Sequence, residues 1–319
     1  MALSTKLQPV IILLAAAMGI ILGQNVFISS NSAASIEIFL MMLLFFIFVG
    51  VDIRAITKSF RNVKFSVSSL AVNFVWTPIF AVILGKLLLA GMVDIQVGFL
   101  MLLATPCTDW YLIFTGMARG NVPLGSSVLP LNLILQVLLL PVYLFLFMGN
   151  SISFNPARIV YSVAFVLILP LISANAVKWI VGMTAAGEKF TELTAAHTDN
   201  AQLLFLCLAV AAMFASRGNL LIDNPILFLR MLFPLAVFFA VNFIMVLSMG
   251  KKLNMPFEDK IALVFTTSAR NSPISLAIAT TAFPDHPMIS LALVIGPLIE
   301  LPILAVDSYI LRKMRESGA

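Results

Sequence analysis

Three charged residues within long apolar stretches of this chain stand out: Asp109 in ATPCTDWYLIF, Arg270 in TTSARNSPISL and Glu300 in GPLIELP. At the centre of a bilayer each such charge costs about 3 kcal/mol or more, so it faces protein or water and marks a pathway, a relay or an ion pair. Asp109 and Arg270 have opposite signs and sit in two segments that share an interruption by proline and small polar residues. They are expected to meet as an ion pair at the membrane midplane. That pair either contacts a solute or only neutralises itself, and removing one partner would strand the other at about 3–5 kcal/mol. Glu300, between Pro297 and Pro302, has no basic neighbour in its own apolar stretch and could take up and release a proton. The structural alternative is a hydrogen-bonded carboxyl that braces a proline-kinked helix.

Cys107 follows Pro106, where proline frees a carbonyl and opens the local helix. A thiol there is either a soft ligand facing a cavity or a small buried hydrophobe. The candidate substrate-binding set is Cys107, Thr108, Asp109, Trp110, Arg270, Asn271 and Ser272, with Glu300 as the proton-coupling group. Asn73, Asn132 and Gln136 are candidates for lining a cavity, although intramembrane amides commonly serve as interhelical hydrogen-bond partners. Cys207, in LLFLCLAVAA, reads as packing. The two histidines, His197 and His286, fall in loops without metal-ligand spacing, and no metal or cofactor is expected.

Membrane-spanning helices must position these residues. The chain is 61% hydrophobic and 10% charged, with a mean hydropathy of +1.08, which is more apolar surface than one soluble core can bury. Its net charge of +5 comes from basic residues in short loops, which indicates topology and not nucleic-acid binding. Ten apolar segments are long enough to span: 7–28, 36–53, 65–89, 96–117, 124–147, 158–181, 200–216, 227–249, 260–283 and 287–311. The first is read as a span and not as a cleaved leader. With the N-terminus inside, fourteen Lys and Arg fall on the cytoplasmic side and four outside, so both termini are placed in the cytoplasm. The basic run Arg54 to Lys64 fits an inner-leaflet surface segment.

Ten helices divide at Gly149 to Pro156 into residues 1–150 and 151–319. Five is odd, so the halves have opposite orientation, as in secondary transporters whose broken helices form a midplane site. The expected fold is therefore an all-α membrane protein with two inverted five-helix repeats and broken fourth and ninth helices. Sliding one break over the other by 161 residues pairs Thr105 with Thr266, Asp109 with Arg270 and Pro123 with Pro284.

PCTDWYLIFTGMARGN, FTTSARNSPISLAIATTAF and VIGPLIELP together resemble the bile acid:sodium symporter superfamily, and within it the arsenite efflux permeases, over nearly the whole chain. The resemblance implies functional roles for Cys107 and Glu300, which occupy the positions of a cysteine at the fourth-span break and a glutamate in the last span. It also exposes departures. Tyr111, Leu112 and Thr266 stand where sodium-coupled members have polar or acidic residues, and Arg270 stands where they place a neutral amide. The efflux permeases, for their part, have a neutral asparagine pair where this chain has Arg270 and Asn271. Sodium coupling is therefore not expected, and the guanidinium takes the place of the ion.

The expected function is secondary transport in the plasma membrane: proton-driven efflux of arsenite or a related oxyanion. The alternative is sodium- or proton-coupled uptake of a small organic anion. The competing class, an intramembrane enzyme, would need Asp109 and Glu300 as a carboxylate pair or a base beside Cys107, and neither histidine lies in a span. Expected partners are the lipid bilayer and a small anion or neutral oxyacid, with no nucleic acid.

Overall fold

The computed structural model describes residues 3–50, 62–107, 110–149, 156–182, 198, 200–216 and 225–317. The expectations placed on Thr108, Asp109, His197, the seam at 150–155 and most of the basic run at 54–64 lie outside these residues. In chain order the helices are α1 Leu3–Leu22, α2 Val26–Gly50, α3 Val63–Leu88, α4 Val93–Ala104, α5 Trp110–Met117, α6 Val122–Ser127 and α7 Leu129–Met148. They continue as α8 Pro156–Gly182, α9 Asn200–Ser216, α10 Pro225–Lys252, α11 Phe257–Ser268, α12 Ser272–Ala282 and α13 Pro287–Glu316. Every element among the described residues is a helix.

Four of these helices, α3, α7, α10 and α13, are each long and apolar enough to cross a membrane, and α2 makes a fifth if its 44° bend is counted within one span. The fourth and ninth expected spans are each two short helices: α4 then α5, and α11 then α12. Their interruptions have local causes. Ala104 leads into Thr105 in extended conformation, and Ala269 after α11 is also extended. Asn271 then starts α12 by accepting the N–H of Ile274, with Pro273 in the first turn, where its missing N–H is not needed. Asn121 and Pro123 repeat this Asn-x-Pro start at α6.

The two extended segments pair as an antiparallel bridge between Pro106 and Arg270. Cys107 N–H donates to Ala269 O at 2.9 Å and Asn271 N–H to Thr105 O at 2.7 Å. The broken helices therefore cross. The half-helices leading into the crossing, α4 and α11, are both 12 residues long, and their starts and ends are each 164 positions apart. That offset differs from the expected 161, and Pro106 lies opposite Arg270 in the bridge. Half-helix length, which depends on where each chain leaves the helix, decides it.

A five-residue π-turn, Val72–Trp76, interrupts α3 just before Pro78. Pro78 has no N–H for the carbonyl of Phe74 four residues earlier. Tyr143 of α7 supplies the donor, its hydroxyl reaching Phe74 O at 2.6 Å. Tyr143→Phe is expected to lower stability by about 1–3 kcal/mol, the cost of leaving one buried acceptor unpaired. Thermal melting in detergent reads this; an unchanged midpoint would show that the carbonyl finds another partner.

Polar contacts gather at one end of the molecule. Asn121 Nδ2 donates to Asp259 Oδ1 at 2.8 Å, Arg315 meets Glu258 at 2.7 Å, and Lys64 reaches Leu253 O. At the other end His286 Nδ1 lies 3.0 Å from Asp94 Oδ1, so this histidine is not merely solvated as its loop position implies.

Candidate functional site

The crossing brings four helix ends together. The C-termini of α4 and α11 arrive with carbonyls that have no partner further along their own helices, and the N-termini of α5 and α12 leave with N–H groups that have no partner earlier in theirs. A helix carries about half a positive charge at its N-terminus and half a negative charge at its C-terminus. One side of the crossing is thus electronegative and the other electropositive.

Arg270 is 2% exposed and serves the electronegative side. Its guanidinium donates to Leu103 O at the end of α4 at 2.8 Å, to Ser268 O at 3.0 Å and to Thr267 O, both at the end of α11, and lies 3.5 Å from Asn73 Oδ1 on α3. Phe238 of α10 covers it with its ring centroid 5.1 Å away. The backbone N–H of Arg270 donates to Glu300 Oε1 at 2.8 Å. Glu300 is 1% exposed and, among the described residues, makes no ion pair: its carboxyl holds the backbone of the break while the guanidinium points to carbonyls.

Hydroxyls and amides stitch the rest. Thr105 Oγ1 and Ser275 Oγ lie 2.7 Å apart and each 2.9 Å from Met101 O, so one hydroxyl donates to the carbonyl and the other to its neighbour. Asn73 Nδ2 donates to Thr266 O at 3.1 Å, and Asn242 Nδ2 donates to Thr267 O at 2.9 Å. Ser272 is buried and its hydroxyl donates to Leu293 O on α13.

On the electropositive side is a pocket whose polar wall is Cys107, Trp110, Arg270 and Asn271, with Leu40, Leu43 and Leu44 of α2 and Leu206 of α9 opposite. Cys107 Sγ accepts the N–H of Trp110, the first residue of α5. Four of the expected site residues therefore come together here. Ser272 sits behind them, and Glu300 is joined to the pocket only through the backbone of Arg270. The amides of the expected cavity-lining set do not line this pocket. Asn73 is occupied between Thr266 and Arg270, while Asn132 and Gln136 are buried on α7 and their side chains meet no hydrogen-bond partner among the described residues.

Several contributors were not singled out from sequence. Asn242, an amide in an apolar run, carried a readable signal. The leucine wall, Phe238 and the carbonyls of Leu103, Thr267 and Ser268 carried none. A further buried carboxyl, Asp307, lies seven residues after Glu300 on the same face of α13, its Oδ2 without a hydrogen-bond partner among the described residues.

Comparison with known proteins adds the following. The family model described as the SBF-like CPA transporter family matches residues 8–316. The arsenical-resistance protein Acr3 of Corynebacterium glutamicum is 25% identical over 74% of this chain and 66% of its own length, so the match spans just under two thirds of that relative. An uncharacterized transporter of Synechocystis sp. is 23% identical over 89% of this chain and 79% of its own length. The Acr3 of Alkaliphilus metalliredigens is 19% identical over 84% of this chain and 78% of its own length.

Proposed function

This chain belongs to the SBF-like CPA transporter family, and from that premise we propose that it exports arsenite or a related oxyacid in exchange for protons. The carrying observation is the pocket at the crossing, where one thiol and two helix N-termini face a wall of leucines. Trivalent arsenic is soft and prefers sulfur, and its neutral oxyacid presents acceptor oxygens suited to helix N-termini. Small size and lack of charge fit the leucine wall. The names of the two Acr3 relatives support the same solute class.

The donors of Arg270 are taken up by carbonyls, which favours a neutral oxyacid over the alternative of an organic anion docking on the guanidinium. Membership of a transporter family favours carriage over an intramembrane enzyme. In this reading ten spans form two inverted five-helix repeats, residues 1–150 and 151–319, in the plasma membrane. The polar end bearing Lys64, Lys260 and Arg315 is cytoplasmic, as the loop charges require. The crossed helices move as a core against a panel containing α2 and α9, exposing the pocket to each side in turn.

Cells with and without the gene, exposed to arsenite and antimonite, test the solute. The intact gene should protect. Cys107→Ala should cut arsenite export in everted vesicles about tenfold, equivalent to losing about 1.4 kcal/mol from one soft contact. Protection that survives both Cys107→Ala and Glu300→Gln would remove the assignment, and a sodium requirement in proteoliposomes would overturn the proton coupling.

A further inference from the structure

Asp307 has no part in the transport cycle assigned to Cys107 and Glu300, yet it is a carboxyl inside an apolar span and only 8% exposed. Its Oδ2 meets no hydrogen-bond partner and, among the described residues, its carboxyl joins no ion pair. An ionisable group kept inside a membrane without bracing its surroundings marks a pathway or a relay. Its neighbours supply no counter-ion. The helix α13 packs on α4, α5, α10, α11 and α12. Within α5 and α12 the titratable side chain is Tyr111, whose hydroxyl donates to Gly125 O. At the outer end Asp94 of α4 is taken by His286, and Arg230 of α10 lies against Met92. At the polar end Lys251 and Lys252 close α10, while α11 opens with Glu258, held by Arg315, and Asp259, held by Asn121, followed by Lys260. On α13 itself Arg312 pairs with Glu316, and Lys313 follows in the last turn. Arg270 gives its donors to carbonyls.

Position gives this carboxyl its task. Asp307 lies seven residues beyond Glu300, about 10 Å along α13, and eight residues before Arg315, about 12 Å from the polar end. Both carboxyls are on one face of the helix, with buried Leu304 between them. A proton passes only between groups in hydrogen-bond contact, directly or through water, so Glu300 cannot empty to the cytoplasm in one step. We propose that Asp307 is the station at which the proton leaves. In the inward-open protein the Glu300 carboxyl gives its proton to water, the Asp307 carboxylate takes a proton from that water, and Asp307 then releases it to the cytoplasm. Each transfer breaks one O–H bond and forms another, so one proton crosses and Asp307 ends as it began. This inference rests on the proton-coupled reading and adds the route by which the proton departs.

The test separates movement of the proton from movement of the solute. Full-length wild type, Asp307→Asn and Asp307→Glu are reconstituted in proteoliposomes and assayed with labelled arsenite in two modes. One is net transport driven by an imposed pH gradient. The other is exchange of labelled for unlabelled arsenite at equal pH, in which solute returns the carrier and no net proton has to cross. Asp307→Asn should lose about tenfold or more of net transport, as removal of a proton-transfer group does, and should exchange arsenite at the wild-type rate. Asp307→Glu should recover most of the net transport. In detergent Asp307→Asn should melt no lower than wild type, because Oδ2 has no hydrogen bond to lose among the described residues. Net transport by Asp307→Asn at the wild-type rate would overturn the inference. So would an equal loss in both modes, or an asparagine variant that aggregates, since either shows that the carboxyl holds the fold or the solute. An Asp307→Glu protein as slow as Asp307→Asn also counts against it. Wild type that exchanges arsenite but ignores the pH gradient would remove the proton-coupled reading and this inference together, whereas a proton-driven wild type matched by Asp307→Asn removes the inference alone.

Discussion

Glu300→Gln is expected to abolish proton-driven export, by about a hundredfold or more, in a protein that remains folded. The amide keeps an oxygen where Glu300 Oε1 accepts the N–H of Arg270, so the break between α11 and α12 stays held. What the substitution removes is the capacity to bind and release a proton, and losing a positioned proton-transfer group lowers rates by factors of about 10²–10⁴. Glu300→Ala separates the two roles. It removes the acceptor as well, leaving the buried Arg270 N–H unpaired at about 1–3 kcal/mol, and should lower stability in addition to transport. Export driven by an imposed pH gradient in everted vesicles, read beside thermal melting, distinguishes the variants. If Glu300→Gln exported at the wild-type rate, the carboxyl would be a brace for α13 and the coupling group would have to be sought elsewhere, first at Asp307 two helical turns away.

A large effect on stability is expected at Gly98, on the helix that leads into the crossing. A Cβ there would come within 2.6 Å of both the Cβ of Ala292 and the carbonyl oxygen of Ile289 on α13, and the second contact is backbone that cannot rotate away. Small residues permit such close approach between helices in membranes, where packing and not the hydrophobic effect drives association. Gly296 on α13 repeats the arrangement from the other side, its space filled by Leu102 of α4. Gly98→Leu should cost about 3 kcal/mol or more by overpacking and reduce accumulation in the membrane, with Gly98→Ala intermediate. Gly85→Ala is the matched control, since the nearest atom to its added Cβ is 3.8 Å away. Membrane yield and melting temperature of the three variants decide the matter; a Gly98→Leu protein as stable as Gly85→Ala would mean that α4 does not lie this close to α13. Function hangs on the same contact, because it seats α4, which leads into the crossing, against the helix that carries Glu300.

Much of this was legible in local sequence because the causes are local. Membrane insertion follows from the sum of side-chain hydropathies, and no tertiary contact can reverse it. The two interruptions follow from proline and asparagine, which change hydrogen bonding within four residues of themselves; Asn271 with Pro273 and Asn121 with Pro123 start helices in the structure as their chemistry dictates. Cys107 and Glu300 stood out for the same reason, one beside a break and the other a charge among apolar residues. Asp109 lies outside the described residues, so its pairing with Arg270 stands as an expectation.

Tertiary structure decided what surrounds these groups. A guanidinium in an apolar run must find oxygens, but sequence names only those on side chains. Arg270 is held chiefly by carbonyls of Leu103, Thr267 and Ser268, and every residue has a carbonyl, so no residue type could have pointed to them. The offset of 164 depended on where α4 and α11 end, which is set by the pairing of Thr105 with Asn271 and of Cys107 with Ala269 across the crossing. The leucine wall of the pocket is likewise ordinary apolar sequence until packing turns three residues of α2 and one of α9 toward Cys107. Composition and helix breakers alone determine that this chain enters a membrane and where its helices open; only the folded chain decides which backbone oxygens those openings aim at one another, because that is a matter of distance and direction between segments far apart in sequence.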